Sequence, residues 1–188
     1  MTTRQSRLPK AALALTLLAG CTAFLPQVDV DEKPASGSAY VYGRFARVTQ
    51  GGAPFSGTAK GLVLVIRCDS GSEHLIDFSE DQPLKMVKVA PSACALDEFA
   101  LTDAFGMPLD KFPVSDVPRK FDVVAGKAYY IGDFWAQITS DKWNPLFVRS
   151  YLRQGAANNY ESTTRELKRT YSNFSSISTE NRFGGLQQ

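Results

Sequence analysis

The sequence has one histidine, three cysteines and no apolar run long enough to cross a bilayer. A transmembrane helix needs about 20 consecutive apolar residues, so none is predicted. No Cys-x-x-Cys pair is present, and a single histidine cannot complete a conventional zinc site. A Gly-x-Ser-x-Gly nucleophile elbow is also missing. We therefore expect a non-enzymatic protein that holds no metal and no cofactor.

Net charge is small and depends on the N-terminus. The whole chain carries a formal charge of +2. Residues 1–20 contain Arg4, Arg7 and Lys10 and no acidic residue, so their removal would leave −1. The basic balance therefore gives no reason to expect nucleic-acid binding. At 188 residues and 44% hydrophobic content, the remainder can form one globular domain.

The first 20 residues have the organisation of a secretory signal peptide. A basic segment at 1–10 precedes a short apolar segment at 11–19. The sequence LAGC at 18–21 resembles the lipobox of bacterial lipoprotein precursors. The resemblance implies that Cys21 is lipidated and becomes the first residue of the mature chain. The alternative is an ordinary secreted protein whose cleavage site lies near Cys21.

The same resemblance implies a location. Lipoproteins carry more than one acyl chain, and this gives stable membrane attachment where a single chain gives marginal binding. In many Gram-negative bacteria, Asp directly after the lipidated Cys retains the protein in the inner membrane, and Thr22 occupies that position here. The expected location is therefore the outer membrane, with the domain facing the periplasm or the cell surface.

Residues 21–38 are predicted to hold the lipidated cysteine and a flexible tether. The segment contains Pro26, Pro34 and Gly37 together with several charged residues, a composition typical of extended, disordered chain. Phe24 and Leu25 are apolar and could instead lie on the domain. The two alternatives differ in how freely the domain moves relative to its anchor.

The cysteine count predicts a disulfide. Once Cys21 carries lipid, Cys68 and Cys94 remain as an even pair in an oxidising compartment. The bond would close a loop of about 26 residues and contribute ~3–4 kcal/mol by chain entropy. Two buried free thiols are the alternative.

Residues 39–154 are predicted to form an antiparallel β-sandwich, because many short β-prone segments alternate with turn residues. We expect 61–68 and 72–78 to form a hairpin, and 120–124 and 128–138 to form a second pair. Segment 84–90 is predicted as an edge strand, because each of its faces carries a lysine. The full set of predicted strands is 38–48, 61–68, 72–78, 84–90, 94–103, 120–124, 128–138 and 143–149.

The period changes in the last part of the chain, residues 155–188. Tyr160, Thr164, Leu167 and Tyr171 recur at helical spacing, which predicts one amphipathic helix over about 158–171 lying on the sandwich. Residues 175–188 are predicted to be a frayed tail. The fold class is therefore mainly β with one C-terminal amphipathic helix.

Three segments carry a family resemblance: AYVYGRF at 39–45, the Pro91-Ser92 turn, and AGKAYYIGDF at 125–134. They are similar to segments of uncharacterised proteobacterial lipoproteins with a small β-sandwich domain, related in style to carboxypeptidase-regulatory-like sandwiches. The resemblance covers roughly residues 39–150. It implies a sandwich fold and a membrane anchor, and it implies no active site.

An aromatic segment supplies the candidate ligand-binding residues. Strand alternation assigns Tyr130 and Phe134 to one face of 128–138. Together with Trp143 they form a candidate platform for a glycan or small ligand. The alternative is that the C-terminal helix covers this face. Asp133 interrupts the apolar run and is expected to reach solvent or a donor such as Arg44 or Lys127.

Three functions follow in order. The first is a non-catalytic interaction or structural module, acting as an accessory subunit of an envelope complex. The second is a glycan- or small-ligand-binding module that uses Tyr130, Phe134 and Trp143. The third is a hydrolase, for which His74 in a predicted strand is the only histidine able to act as a base.

Overall fold

The computed structural model describes residues 27–47, 61–79, 81–102, 108–113, 119–144 and 147–183. In this part of the chain, two five-stranded sheets form a β-sandwich with one α-helix near the C-terminus. The predicted fold class is confirmed. In chain order the elements are β1 (Ala39–Arg47), β2 (Gly61–Cys68), β3 (Glu73–Ser79), β4 (Leu84–Val89), β5 (Ser92–Thr102), β6 (Pro108–Pro113), β7 (Arg119–Val123), β8 (Lys127–Asn144), β9 (Phe147–Ala157), α1 (Tyr160–Thr170), a 3-10 turn (Ser172–Phe174) and β10 (Ser178–Asn181).

Sheet A has the strand order β10-β8-β1-β4, with β9 also paired to β8. β10 pairs with the start of β8 and β9 pairs with its later part, so these two strands share one edge of β8 in succession. β1 occupies the other edge. The pairings of β8 with β1 and with β10 are parallel, so sheet A is mixed and departs from the antiparallel prediction. β4 lies at the end of the strand order, as predicted for an edge strand.

Sheet B has the strand order β3-β2-β5-β6, with β7 also paired to β5. The predicted hairpin of β2 and β3 is confirmed. The predicted pair of β7 and β8 is wrong, because β7 pairs antiparallel with β5 in sheet B. The short turn after β7 carries the chain into sheet A, where the Gly126 N–H donates to the Ser38 carbonyl at 2.8 Å.

The main core lies between the two sheets. Alternation along β2 directs Leu62, Leu64 and Ile66 inward, where they meet inward side chains of sheet A. Burying these aliphatic and aromatic groups is the largest favourable contribution to folding. The buried members are Ala39, Val41, Phe45, Leu62, Leu64, Ile66, Cys68, Ile76, Phe78, Val87, Val89, Cys94, Leu96, Phe99, Val123, Tyr129, Ile131 and Phe134.

A second apolar layer covers the outer face of sheet A. Helix α1 and the residues after it cover the outward side chains of β1, β4 and β8. The predicted tail from residue 175 is therefore wrong up to residue 183, because Ile177 and Phe183 are buried and β10 pairs with β8. The buried members are Val28, Tyr40, Tyr42, Leu84, Met86, Ala128, Tyr130, Leu167, Tyr171, Phe174, Ile177 and Phe183.

A β-bulge inverts the alternation of β8. Tyr42 pairs with Tyr130 while Arg44 pairs with Asp133, so Gly43 opposes two residues instead of one. Gly132 within the bulge has φ +136°, a conformation that favours glycine. The extra residue directs Asp133 to the same side as Tyr130 and sends the following residue to the opposite side.

Substituting alanine for Gly132 is expected to destabilise the fold by about 2–3 kcal/mol. A Cβ at this position would lie 2.9 Å from Cδ2 of Phe183, and the backbone would be strained at its positive φ. The control is Gly126→Ala, which has φ +78° but open space around the added carbon, and should cost about 1 kcal/mol. Equal urea midpoints for the two variants would contradict the crowding.

Candidate functional site

Residues 27–38, which we call the strap, lie against sheet A. Val28 is buried, and its N–H donates to the Met86 carbonyl at 3.0 Å. Gln27 forms an antiparallel bridge with Val87. The disordered tether predicted for this region is therefore wrong from Gln27 onward. Val28 gains apolar burial, and the free edge of β4 provides hydrogen-bond partners for the chain.

The rest of the strap is held by side chains of the second layer. The Ala35 N–H donates to the Tyr40 hydroxyl at 2.7 Å. Asn173 donates through Nδ2 to the Asp31 carbonyl at 2.8 Å, which ties the strap to the 3-10 turn after α1. The strap is therefore part of the folded domain.

Cys21, the predicted lipidation site, lies outside the described residues and six positions before Gln27. Six residues of fully extended chain span at most about 3.6 Å each, or roughly 22 Å in total. An attachment at Cys21 would therefore hold the domain close to its anchoring point.

A groove of about 450 Å³ lies between the strap, the turn before β4 and the C-terminal end of α1. Small-molecule pockets have volumes of roughly 300–1,000 Å³, so this groove is large enough for a ligand or a short peptide segment. Its lining residues are Gln27, Val28, Asp29, Val30, Asp31, Asp81, Gln82, Pro83, Leu84, Lys85, Glu166, Thr170 and Tyr171.

The groove carries an excess of negative charge. Asp29, Asp31, Asp81 and Glu166 line it against a single lysine, Lys85. Burial lowers the pKa of Lys85, and nearby carboxylates oppose that shift. Charge complementarity therefore favours a cationic partner over an anionic one at this surface.

The predicted disulfide is confirmed. Cys68 and Cys94 are directly opposed on β2 and β5 and are joined by an S–S bond of 2.03 Å. Both residues are buried in the main core. The bond links two neighbouring strands of sheet B, and the alternative of two free thiols does not apply.

The candidate aromatic platform does not form as predicted. Tyr130 is fully buried under the C-terminal segment, whereas Phe134 is 7% exposed and lies in the core between the sheets. The assignment of both to one face is wrong, because the bulge at Gly132 shifts the alternation between them. The alternative, a face covered by the C-terminal helix, holds for Tyr130. Trp143 belongs to β8, and its side chain is outside the described part.

Tyr130 and Asp133 form a buried hydrogen-bond network with the start of α1. The Asp133 carboxylate accepts from the Tyr130 hydroxyl at 2.8 Å, from Thr163 Oγ1 at 2.9 Å and from Asn159 Nδ2 at 3.1 Å. Burial raises the pKa of Tyr130, so its hydroxyl stays protonated. A carboxylate at a helix N-terminus also complements the helix dipole.

The expected partners of Asp133 were wrong. Arg44 instead pairs with Glu166 on α1 at 3.2 Å, and Lys127 pairs with Glu180 on β10. The network around Asp133 therefore holds α1 on sheet A, and each of the other two basic residues ties the C-terminal segment to a strand.

Sequence reasoning missed a charged cluster on sheet B. Arg67 pairs with Glu73 at 3.2 Å, with Asp97, and with Glu98 at 3.8 Å. A register shift between Val65 and Ile66 brings the last two carboxylates to the same arginine. Only the strand register reveals this convergence. The arginine is half exposed, so the cluster adds little stability.

His74 is buried beside the β2–β3 turn. Its Nε2 lies 2.9 Å from Ser72 Oγ, and Ser72 Oγ lies 2.7 Å from Ser70 Oγ. Nδ1 is buried and has no hydrogen-bond partner in the described part of the chain. A nucleophile–base pair needs a third group to orient the base, so this arrangement supports a structural bond.

Acidification is expected to destabilise the fold through His74. Burial lowers the pKa of His74 below its ordinary 6.5, so the unfolded chain takes up a proton before the folded protein does. Stability is retained above about pH 6.5 and falls as the pH decreases toward the folded pKa, by about 1 kcal/mol at pH 5.5. Urea unfolding of His74→Gln at pH 7.5 and 5.5 serves as the control. Identical pH slopes in the two proteins would contradict this role.

Two general searches of the described residues returned nothing. No cluster of three or more His, Cys, Asp or Glu side chains there is arranged to hold a metal ion. No helix there has the length and apolar character to cross a membrane.

Comparisons with known proteins give no family. No protein-family model and no curated protein matches the chain. Among solved structures, a leucine-rich repeat protein from Bacteroides thetaiotaomicron is similar over 56% of this chain, at 12% identity and a TM-score of 0.36. The similar region spans only 14% of that protein. A likeness this weak carries no argument about fold or function.

Proposed function

We propose that the protein is an envelope lipoprotein, lipidated at Cys21 and held at the outer membrane, whose β-sandwich is a non-catalytic interaction or structural module. The sequence LAGC at 18–21, placed after a basic and an apolar segment, carries the proposal. The similarity of segments 39–45 and 125–134 to proteobacterial lipoproteins is part of the same proposal.

Two structural features support it. The Cys68–Cys94 disulfide fits an oxidising compartment such as the periplasm. The folded domain begins at Gln27, close to the proposed lipid site, so the domain would act at the membrane surface.

The module would serve as an accessory subunit of an envelope complex. The groove beside the strap offers a surface with four carboxylates and one lysine, which suits a basic segment of a protein partner. Nucleic acid is not an expected partner, because the same surface would repel phosphates.

Ligand binding is the second candidate, and its support moves to a different surface. Two of the three aromatic residues proposed for it are buried, whereas the groove of about 450 Å³ is open to solvent. Calorimetric titration of cationic small molecules and short basic peptides tests this candidate. Binding that disappears in Asp31→Asn would support it over a purely structural role.

Metabolic labelling tests the anchor directly. Cells expressing the full chain are fed an alkyne analogue of palmitate, and the purified protein is examined by mass spectrometry. We expect label at Cys21, loss of label in Cys21→Ser, and release of that variant from the membrane fraction. The matched control, Cys68→Ala with Cys94→Ala, should keep the label. An unlabelled wild-type protein recovered from the soluble periplasm would refute the proposal.

Crosslinking of the lipidated protein in its native membranes tests the interaction role. A stoichiometric protein partner that is lost in Cys21→Ser would support a membrane-localised subunit. Recovery of the lipoprotein alone, with its membrane attachment intact, would count against this role.

A further inference from the structure

The strap enters the fold in a defined direction. Gln27 opposes Val87 in an antiparallel bridge, and the next residue, Val28, donates to the carbonyl of Met86. The strap therefore runs opposite to β4. Traced backward from Gln27, the chain is directed toward the Val89 end of β4.

Several turns gather at this end of the sandwich. Ala39 pairs with Val89 next to the Ser38–Gly126 hydrogen bond, and on sheet B the Asp69 N–H donates to the Ala93 carbonyl at 2.8 Å. We call this the proximal end. It comprises the turns at 35–38, 69–72, 90–92 and 124–126.

The two ends of the sandwich differ in charge. The four turns of the proximal end contain one charged residue, Asp69, and expose the apolar side chain of Val124 to 48%. The opposite end holds the groove with its four carboxylates. Anionic headgroups repel carboxylates within about a Debye length, roughly 10 Å.

We propose that the proximal end faces the bilayer and that the groove opens away from it, toward the periplasm. This rests on the lipid anchor proposed for Cys21. Of a reach of about 22 Å from Gln27, passing Val89 uses roughly 7 Å, so the proximal end comes within about 15 Å of the anchor. The reverse orientation would require the chain to turn back along β4 and would place the acidic groove against the headgroups.

Site-specific quenching tests the orientation. Val30 in the groove and Val124 at the proximal end are exposed by 55% and 48%, which makes them a matched pair. Each is replaced by cysteine in the full lipidated chain, labelled with the same fluorophore, and reconstituted into vesicles containing headgroup-spin-labelled phosphatidylcholine. We expect at least about twofold stronger quenching for Val124→Cys, because the short reach limits tumbling. Equal quenching, or stronger quenching for Val30→Cys, would overturn the orientation.

Two further measurements separate the orientation from the anchor. Flotation of the vesicles reports attachment alone, so a protein that fails to float refutes the anchor and leaves quenching undefined as a test of orientation only in that preparation, where a lipid-independent tether such as a nickel-chelating lipid holding an N-terminal histidine tag at position 21 replaces it. In the floating protein, ten Gly/Ser residues inserted between Pro26 and Gln27 should largely remove the difference between the two labels. A difference that persists undiminished would show that the short connection does not orient the domain.

Discussion

Replacing Asp133 with alanine is expected to lower the free energy of unfolding by about 3 kcal/mol. The carboxylate is buried and accepts hydrogen bonds from Tyr130, Asn159 and Thr163. Alanine would leave these donors without their charged acceptor and would create a small cavity under α1. The loss should appear in urea unfolding followed by circular dichroism.

The matched control is Asp122→Ala, which removes an exposed carboxylate from β7 and should change stability by less than about 0.5 kcal/mol. Hydrogen exchange locates the effect. If Asp133 holds the helix, amides of α1 should lose protection before those of β2 and β5. Uniform loss across both sheets would show instead that Asp133 supports the whole sandwich.

Removing the disulfide is expected to cost ~3–4 kcal/mol, because the bond closes a loop between residues 26 positions apart. The double variant Cys68→Ala, Cys94→Ala and the reduced wild-type protein should show the same lowered urea midpoint. Both cysteines are buried, so reduction under native conditions should be slow unless denaturant is added. A double variant as stable as the oxidised protein would contradict the predicted contribution.

Local patterns predicted the elements whose signals lie within a few residues. The alternating run of β2, the turn before β3 and the helical spacing of Leu167 and Tyr171 all correspond to observed elements. The disulfide followed from the number of cysteines and the expected compartment. In each case the side chains that decide the structure are neighbours in sequence.

Features that depend on distant partners were not predictable. The bulge at Gly132 exists because β8 pairs with β1 in a shifted register, and that one residue moved Phe134 to the opposite face from Tyr130. β10 has a polar sequence, STEN, and becomes a strand only because an edge of β8 is available. The strap has the composition of a linker and is ordered by the edge of β4.

The groove also required the structure. Asp29, Asp81 and Glu166 come from three separate parts of the chain, and each alone is typical of a solvated surface charge. The anchor differs, because signal peptide and lipobox are linear motifs that need no tertiary contact to be recognised.

The long-range pairing of β8 has a consequence for the order of folding. Tyr40 of β1 pairs with Ala128, 88 positions later, whereas β2 and β3 are joined by a short turn. Contacts between distant residues form slowly, because the intervening chain must first be closed into a loop. Sheet A therefore cannot assemble until most of the polypeptide has been synthesised. We expect the nascent chain to remain open long enough for export in an unfolded state, and to complete its second sheet only after translocation.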